Sequence, residues 1–348
     1  MNPADTSPDG DPRWWIYRGT GQPRQESDPT AVLPPPPSWR TFDGGPVIPP
    51  VDLTGGQAEY ERRLGVASAV RMQDMPTDEV TMVNAALYLR RPLLVTGRPG
   101  TGKSSLAYKV ARELRLGPVL RWPISSRSTL QEGLWEYDAI GRVQAAAAQR
   151  DQEPDIGEFV HLGALGTALL PYRTPRVLLI DELDKSDIDL PNDLLSVFED
   201  GEFRIRPLLR IAGRQPDVRV FTADQDSAAV VHRGLVRCNA FPIVVVTSNG
   251  EREFPPAFLR RCLRLEMPDP TIEQLANIVA AHFHGAELTH ARELIRSFVD
   301  RSARDGGLAA DQLLNSVYMA TSGAYADDGS WRRLCDALWR ELGVAGVE

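Results

Sequence analysis

Leu93-Leu94-Val95-Thr96-Gly97-Arg98-Pro99-Gly100-Thr101-Gly102-Lys103-Ser104 is the stretch on which the fold turns. Four residues suited to a buried strand run into GRPGTGKS, and Ser105-Leu106-Ala107 opens a helical pattern. This is GxxxxGK[ST] in the order of strand, glycine loop and helix that the P-loop requires. Gly97, Gly100 and Gly102 let the backbone turn its N–H groups inward, making a cradle for phosphate oxygens at a helix N-terminus. Lys103 is expected to reach the β- and γ-phosphates and the Ser104 hydroxyl to sit on Mg²⁺. The expected nucleotide-binding set is Gly97, Arg98, Pro99, Gly100, Thr101, Gly102, Lys103, Ser104 and Ser105. Of 39 basic residues only Lys103, Lys109 and Lys185 are lysines. A chain that uses arginine almost everywhere keeps lysine where a slim, flexible ammonium is needed. The stretch predicts binding of a nucleoside triphosphate.

The bulk properties narrow the setting. A length of 348 residues holds one large domain or two modest ones. A net charge of −8 argues against broad binding of nucleic acid or acidic membranes. Cys238, Cys262 and Cys335 lie far apart without metal-ligand spacing, which suits buried thiols in a reducing compartment better than disulfides. No signal-peptide pattern is visible and no apolar run approaches a membrane span, so a cytoplasmic location is expected.

The first fifty residues stand apart, carrying twelve of the 28 prolines, including Pro34 to Pro37. Residues 1–57 therefore read as a proline-rich, largely disordered arm. Inside it lies Trp14-Trp15-Ile16-Tyr17-Arg18-Gly19-Thr20-Gly21, an aromatic cluster that disordered tails lack, so a docking role is expected: on the core, a neighbouring subunit or a partner. From about residue 58 the pattern turns helical, with Val80, Val83 and Leu87 at helical spacing in 78–89. Apolar runs suited to buried parallel strands follow at 93–96, 119–122, 177–180, 243–247 and 263–266, separated by helical segments. The expected class is α/β, a five-stranded parallel sheet covered on both faces, over 58–269. Two surpluses, 134–175 and 201–237, read as insertions. The first contains a helical run at 144–149; the second contains hairpin-like strands at 203–206 and 218–221. After Pro270 strand signals cease, and 271–283, 287–303, 310–320 and 330–342 read as four amphipathic helices of a small domain over 270–348.

Val177-Leu178-Leu179-Ile180-Asp181-Glu182 is an apolar strand ending in two acids. Asp181 is expected to hold the Mg²⁺ hydration shell and Glu182 to polarise an attacking water. Alone the pattern is weak, because acids cap helices that follow strands; its distance from a P-loop is what gives it meaning. Asp184 and Lys185 beyond it suit a cap or an inter-subunit ion pair. Ile243-Val244-Val245-Val246-Thr247-Ser248-Asn249 puts the Asn249 amide near the γ-phosphate or the water, although Asn-Gly also favours a plain turn. Pro255 to Cys262 then ends a short helix with Arg260 and Arg261, either of which could project toward a neighbour's γ-phosphate.

Together these stretches resemble the AAA+ ATPases. GRPGTGKS resembles their Walker A, LLIDELD their Walker B, VVVTSN their sensor 1 and FLRRC their arginine-finger box; the helices after Pro270 resemble their lid. The insertions are similar to those of the MoxR-like and dynein-related branch, over about residues 60–345. The resemblance implies ATP and Mg²⁺ as cofactors, a homo-oligomeric ring that is commonly a hexamer, and remodelling of a client protein, in MoxR-like members often one carrying a von Willebrand factor A domain. The aromatic arm lies outside the shared core and resembles N-termini of ATPases from bacterial conflict and signalling systems. One departure matters: where such lids carry a sensor 2 arginine, this chain has Gly307-Leu308-Ala309-Ala310-Asp311-Gln312-Leu313. A switch that assembles with ATP and hydrolyses it slowly is the alternative that this departure favours.

Overall fold

A computed structural model describes residues 12, 14–24, 29–49, 56–65, 77–148, 154–283, 291–304, 310–324 and 330–339. Eleven strands occur among them: β1 (Leu93–Thr96), β2 (Leu120–Pro123), β3 (Trp135–Tyr137), β4 (Val160–Leu162), β5 (Val177–Asp181), β6 (Glu202–Arg204), β7 (Asp217–Phe221), β8 (Ala228–His232), β9 (Leu235–Arg237), β10 (Ile243–Ser248) and β11 (Leu263–Glu266). The helices α1 (Gln57–Leu64), α2 (Thr77–Leu89) and α3 (Lys103–Glu113) flank the first strand.

All five strands expected from apolar runs form one parallel sheet in the order β11-β1-β10-β5-β2. β1, β5 and β10 are almost wholly buried, as strands covered on both faces must be. Alternation sends Leu93, Val95, Val177, Leu179 and Val245 to one face, against α2 and α3. Leu94, Leu178, Ile180, Val244 and Val246 go to the other. β1 sits inside the sheet beside β10, which neighbours β5. The carboxyl ends of these three strands therefore emerge side by side, where open α/β sheets hold their ligands.

The two insertions are not separate decorations. Their strands join in one six-stranded sheet of order β3-β4-β7-β8-β9-β6. The join is a parallel pairing of His161 with Phe221, whose rings stack at 4.9 Å. Val218, Val220, Val231 and Val236 from this sheet share a core with the second face of the parallel sheet. The hairpin expectation holds for 218–221 and is corrected for 203–206. The strand near Phe203 ends at Arg204, pairs with β9 and gives way to a helix at Arg206–Ile211, while β7 pairs with β8. The apolar pattern of each strand was visible, but not which strand each would meet. The run around Gln144 lies in a helix, Ala139–Ala148; Gln149 is outside the described residues.

Helices Ile272–His282, Ala291–Arg304, Ala310–Met319 and Ser330–Leu338 pack around Leu275, Phe298, Val317 and Trp339. Thr271 and Gln274 close a capping box on the first of them. Glu287 to His290 and 340–342 lie outside the described residues, as do Gly307 to Ala309 of the stretch that lacks arginine.

The N-terminal segment is bound to the core wherever it is described. Tyr17 is fully buried and Ile16 nearly so. Asn84 of α2 accepts the amides of Ile16 and Tyr17 at 2.6 and 2.9 Å and donates to the Tyr17 carbonyl at 2.7 Å. Further on, the Arg40 guanidinium bonds the carbonyls of Arg90 and Phe198 and lies 4.2 Å from the Phe241 ring centre. Composition suggested a largely disordered arm because the segment has no core of its own; it uses that of its neighbours.

Candidate nucleotide site

The loop after β1 turns through left-handed glycines, with φ of 80° at Gly100 and 88° at Gly102, conformations that favour glycine. It delivers Lys103 as the first residue of α3. The Lys103 ammonium bonds the carbonyls of Gly97 and Arg98, both at 2.7 Å, so the loop closes on its own cation. Burial lowers the Lys103 pKa, and the carboxylates of Asp184, Glu182 and Asp181 oppose that shift. Thr101 donates its hydroxyl to the Arg98 carbonyl, while the Arg98 side chain pairs with Asp269 across the surface at 3.1 Å.

Asp181 ends β5 as the meeting point of three neighbours. Its Oδ1 accepts from the hydroxyls of Ser104 at 2.6 Å and Thr247 at 2.8 Å. Its Oδ2 accepts from Nε and Nη2 of Arg121 at 3.0 and 2.7 Å. Burial pushes the carboxyl up, but the bonds from Ser104, Arg121 and Thr247 outweigh it and hold the group below its ordinary value. A hydroxyl and a carboxylate side by side form a hard-oxygen pair that fits Mg²⁺, an ion held mostly by phosphate and water with one or two protein oxygens. No cluster of three or more His, Cys, Asp or Glu suited to a metal occurs among the described residues.

Glu182 stands at φ 62°, a left-handed position that costs a non-glycine residue about 1 kcal/mol. Its amide donates to Thr247 Oγ1 at 2.8 Å, which fixes the turn to β10. Its carboxylate takes the Lys185 ammonium at 2.7 Å, and Asn249 Nδ2 approaches at 3.5 Å. Lys185 thus pairs within the chain, where an inter-subunit partner was one expectation. Asp184, also buried, accepts the amides of Asn249 and Glu251 at 2.9 and 3.1 Å and so sets the loop after β10.

A cavity of about 590 Å³ lies over these strand ends. Pro99 to Ser105, Glu182 and Asn249 line it from the core, and Gln274, Ile278, Asp311 and Leu314 from the C-terminal helices. Arg260 and Arg261 do not belong to it. Leu263 pairs with Leu93, so both arginines precede the amino end of β11. The P-loop leaves the opposite end of β1, roughly 10 Å away at about 3.3 Å per residue. Arg261 pairs with Glu199, while Arg91 takes the carbonyls of Arg260 and Arg261.

Residues 92–262 match the family model described as AAA domain (dynein-related subfamily). This part of the chain is a dynein-related AAA domain. No curated protein matches the chain in sequence. Among solved structures, it is similar to NtrX from Brucella abortus at 13% identity and a TM-score of 0.39, over 78% of this chain and 55% of that one. The same protein in complex with ATP gives 14% identity, a TM-score of 0.40 and coverage of 78% and 56%. The complex with ADP gives 15%, 0.39, and 78% and 54%. The chain thus spans a little over half the length of these structures. No helix among the described residues is long and apolar enough to cross a membrane.

Several residues of the AAA domain site escaped the sequence reading. Arg121 gave one faint signal, an exposed charge in the strand β2, whose other face is buried. Thr247 gave none, being one more β-branched residue in an apolar run. Glu79 and Lys109, which pair at 3.7 Å and line the cavity, belong to helices and carry no motif. With Lys103 in the loop and Lys185 on Glu182, all three lysines of the chain sit at or beside the cavity.

Proposed function

We propose that the chain binds ATP with Mg²⁺ in this cavity, hydrolyses it, and works as a ring-forming remodelling motor of MoxR-like type on a client protein. The observation that carries the reading is the convergence of Lys103, Ser104, Asp181, Glu182 and Asn249 at adjacent carboxyl ends of β1, β5 and β10. The loop amides and Lys103 bind the β- and γ-phosphates once the ammonium leaves the Gly97 and Arg98 carbonyls. Ser104, and Asp181 through water, would hold Mg²⁺, which would neutralise charge on the phosphate oxygens. Glu182 takes a proton from water as its oxygen attacks the γ-phosphorus and the bond to the β–γ bridging oxygen breaks. Asn249 orients that water. Arg261 of an adjacent subunit meets the charge that develops on the transferred group, with Arg260 as the fallback. The working unit is then a homo-oligomer, a hexameric ring in this reading, and the client carries a von Willebrand factor A domain or takes that role.

Lys103→Ala should abolish nucleotide binding, whereas Glu182→Gln should keep it and lower phosphate release by about 100-fold or more. Parent-like hydrolysis by Glu182→Gln would remove the assigned base. Arg261→Ala should bind ATP and turn over about 1,000-fold more slowly. Mixed with Lys103→Ala subunits it should regain activity, because some interfaces then pair an intact loop with an intact finger. Proven co-assembly without recovery rules the shared site out.

One feature favours a second reading, an ATP-dependent assembly switch with slow hydrolysis. On the first turn of helix Ala310–Met319 the charged residue lining the cavity is Asp311, an anion where a cation would assist phosphate transfer. Asp311→Arg should accelerate phosphate release if the lid limits turnover.

A further inference from the structure

One wall of the cavity is made by neither the core nor the C-terminal helices. Thr20, Gly21 and Gln22, from the segment that follows Trp14-Trp15-Ile16-Tyr17, line it as well. Their place is held from two helices. Asn84 of α2 takes the backbone of Ile16 and Tyr17, and the Tyr17 hydroxyl donates to Glu79 at 2.8 Å. At the far end of α3, Glu113 is 1% exposed. It accepts the Arg18 amide at 2.6 Å and both the Thr20 hydroxyl and the Gly21 amide at 3.1 Å. A buried carboxylate satisfied by three groups of one strap is a purpose-built clasp, because the same carboxylate without them would lie buried and unpaired. α3 begins at Lys103, so a single rigid helix carries the phosphate loop at one end and the clasp at the other.

The lining combines two chemistries. Amides and Lys103 of the P-loop, at the start of α3, suit phosphate, while Leu64, Ile278 and Leu314, also in the lining, offer the apolar surface that a flat base requires. We infer that Thr20–Gln22 is a detachable wall of the nucleoside end of the pocket. Docking of the aromatic segment and binding of the nucleotide are then one linked equilibrium. Linkage is reciprocal: a docked strap tightens nucleotide binding, and bound nucleotide tightens the strap by the same factor. The inference rests on the proposed nucleotide site and adds to it a removable part, reached through Trp14 at the surface end of the strap.

The test compares ATP with inorganic tripolyphosphate, which shares the phosphate end and lacks the nucleoside. Gly21→Val disturbs the wall locally: Gly21 has φ 63°, and an added Cβ would meet only the flexible end of Arg112, at 3.2 Å. Asn84→Ala undoes the anchor; if it fails to fold, Gly21→Val carries the test alone. Both should weaken ATP by about tenfold or more and leave tripolyphosphate within about twofold of the parent. ATP, and not tripolyphosphate, should slow tryptic cleavage after Arg18 and Arg24. Parent-like ATP affinity in the variants, an equal loss of both ligands, or no protection of the strap by ATP would each overturn the linkage. Lys103→Ala separates the two readings. If it loses both ligands while the strap variants bind ATP normally, the wall is wrong and the nucleotide site stands. If it keeps ATP while Gly21→Val loses it, the wall stands and the P-loop assignment falls.

Discussion

At Asp181 two hydroxyls and a guanidinium converge on one carboxylate. Arg121 supplies a single positive charge at the acid that is proposed to serve a divalent ion. Because the folded-state pKa of Asp181 is depressed, its ionised form adds stability above the unfolded value, and that stability is lost as pH falls through the folded one. Arg121→Ala removes the chief charge behind the shift. The parent should exceed the variant in urea stability by about 1 kcal/mol or less near pH 7, since the guanidinium is 42% exposed. The gap should close as pH falls below about 4, and a constant gap from pH 7 to pH 3 would mean that Arg121 acts by packing. Asp184 acts through Asn249. Asp184→Ala leaves two loop amides unpaired, at a cost of about 1–3 kcal/mol each if they stay dry. It should lower kcat by about tenfold or more with ATP affinity retained, as expected when a water-orienting group loses its position.

Among elements, the joined sheet of the insertions depends on close backbone approach. The helix Ala164–Ala168 lies against the end of α-helical residues Leu130–Leu134, and a Cβ at Gly166 would stand 1.8 Å from the Leu134 carbonyl oxygen. Gly166→Ala must therefore push the two segments apart, at about 2–3 kcal/mol. A fall in melting temperature on the order of 5 °C is expected. Gly213→Ala, with nothing within 4 Å of the added carbon, is the matched control and should change little. Equal effects at both positions would show that glycine content, rather than contact, matters.

For the whole molecule, described parts of the first fifty residues pack on the fold. Ile16 and Tyr17 complete the core on one face of the parallel sheet, while Gly44 and Ile48 bond the backbone of Cys238 and Pro171 on the other side of the chain. Removing residues 1–40 takes away two buried side chains worth about 1.5–3 kcal/mol each and the Arg40 contacts. The truncated chain should lose on the order of 5 kcal/mol, read from its denaturant midpoint against the full chain. An unchanged midpoint would return the arm to the status that its composition suggested.

Sequence alone determined the parallel sheet and the phosphate loop, because both are local in origin. Buried parallel strands must be apolar along their whole length, and a phosphate cradle must be glycine next to a helix start, so each leaves a contiguous mark. Asp181, Glu182 and Asn249 were legible for the same reason, as strand-end residues whose meeting follows from strand order. Tertiary structure decided what depends on pairing across long distances. The partner of β6, the union of two insertions in one sheet, the grip of Arg121 on Asp181 and the clasp of Glu113 on Thr20 and Gly21 join residues tens of positions apart. A proline-rich segment carries no periodicity of its own, so composition read it as free. Its residues 16–21 are held by carboxylate and amide groups on α2 and α3, whose burial requires partners that only the folded chain brings to them.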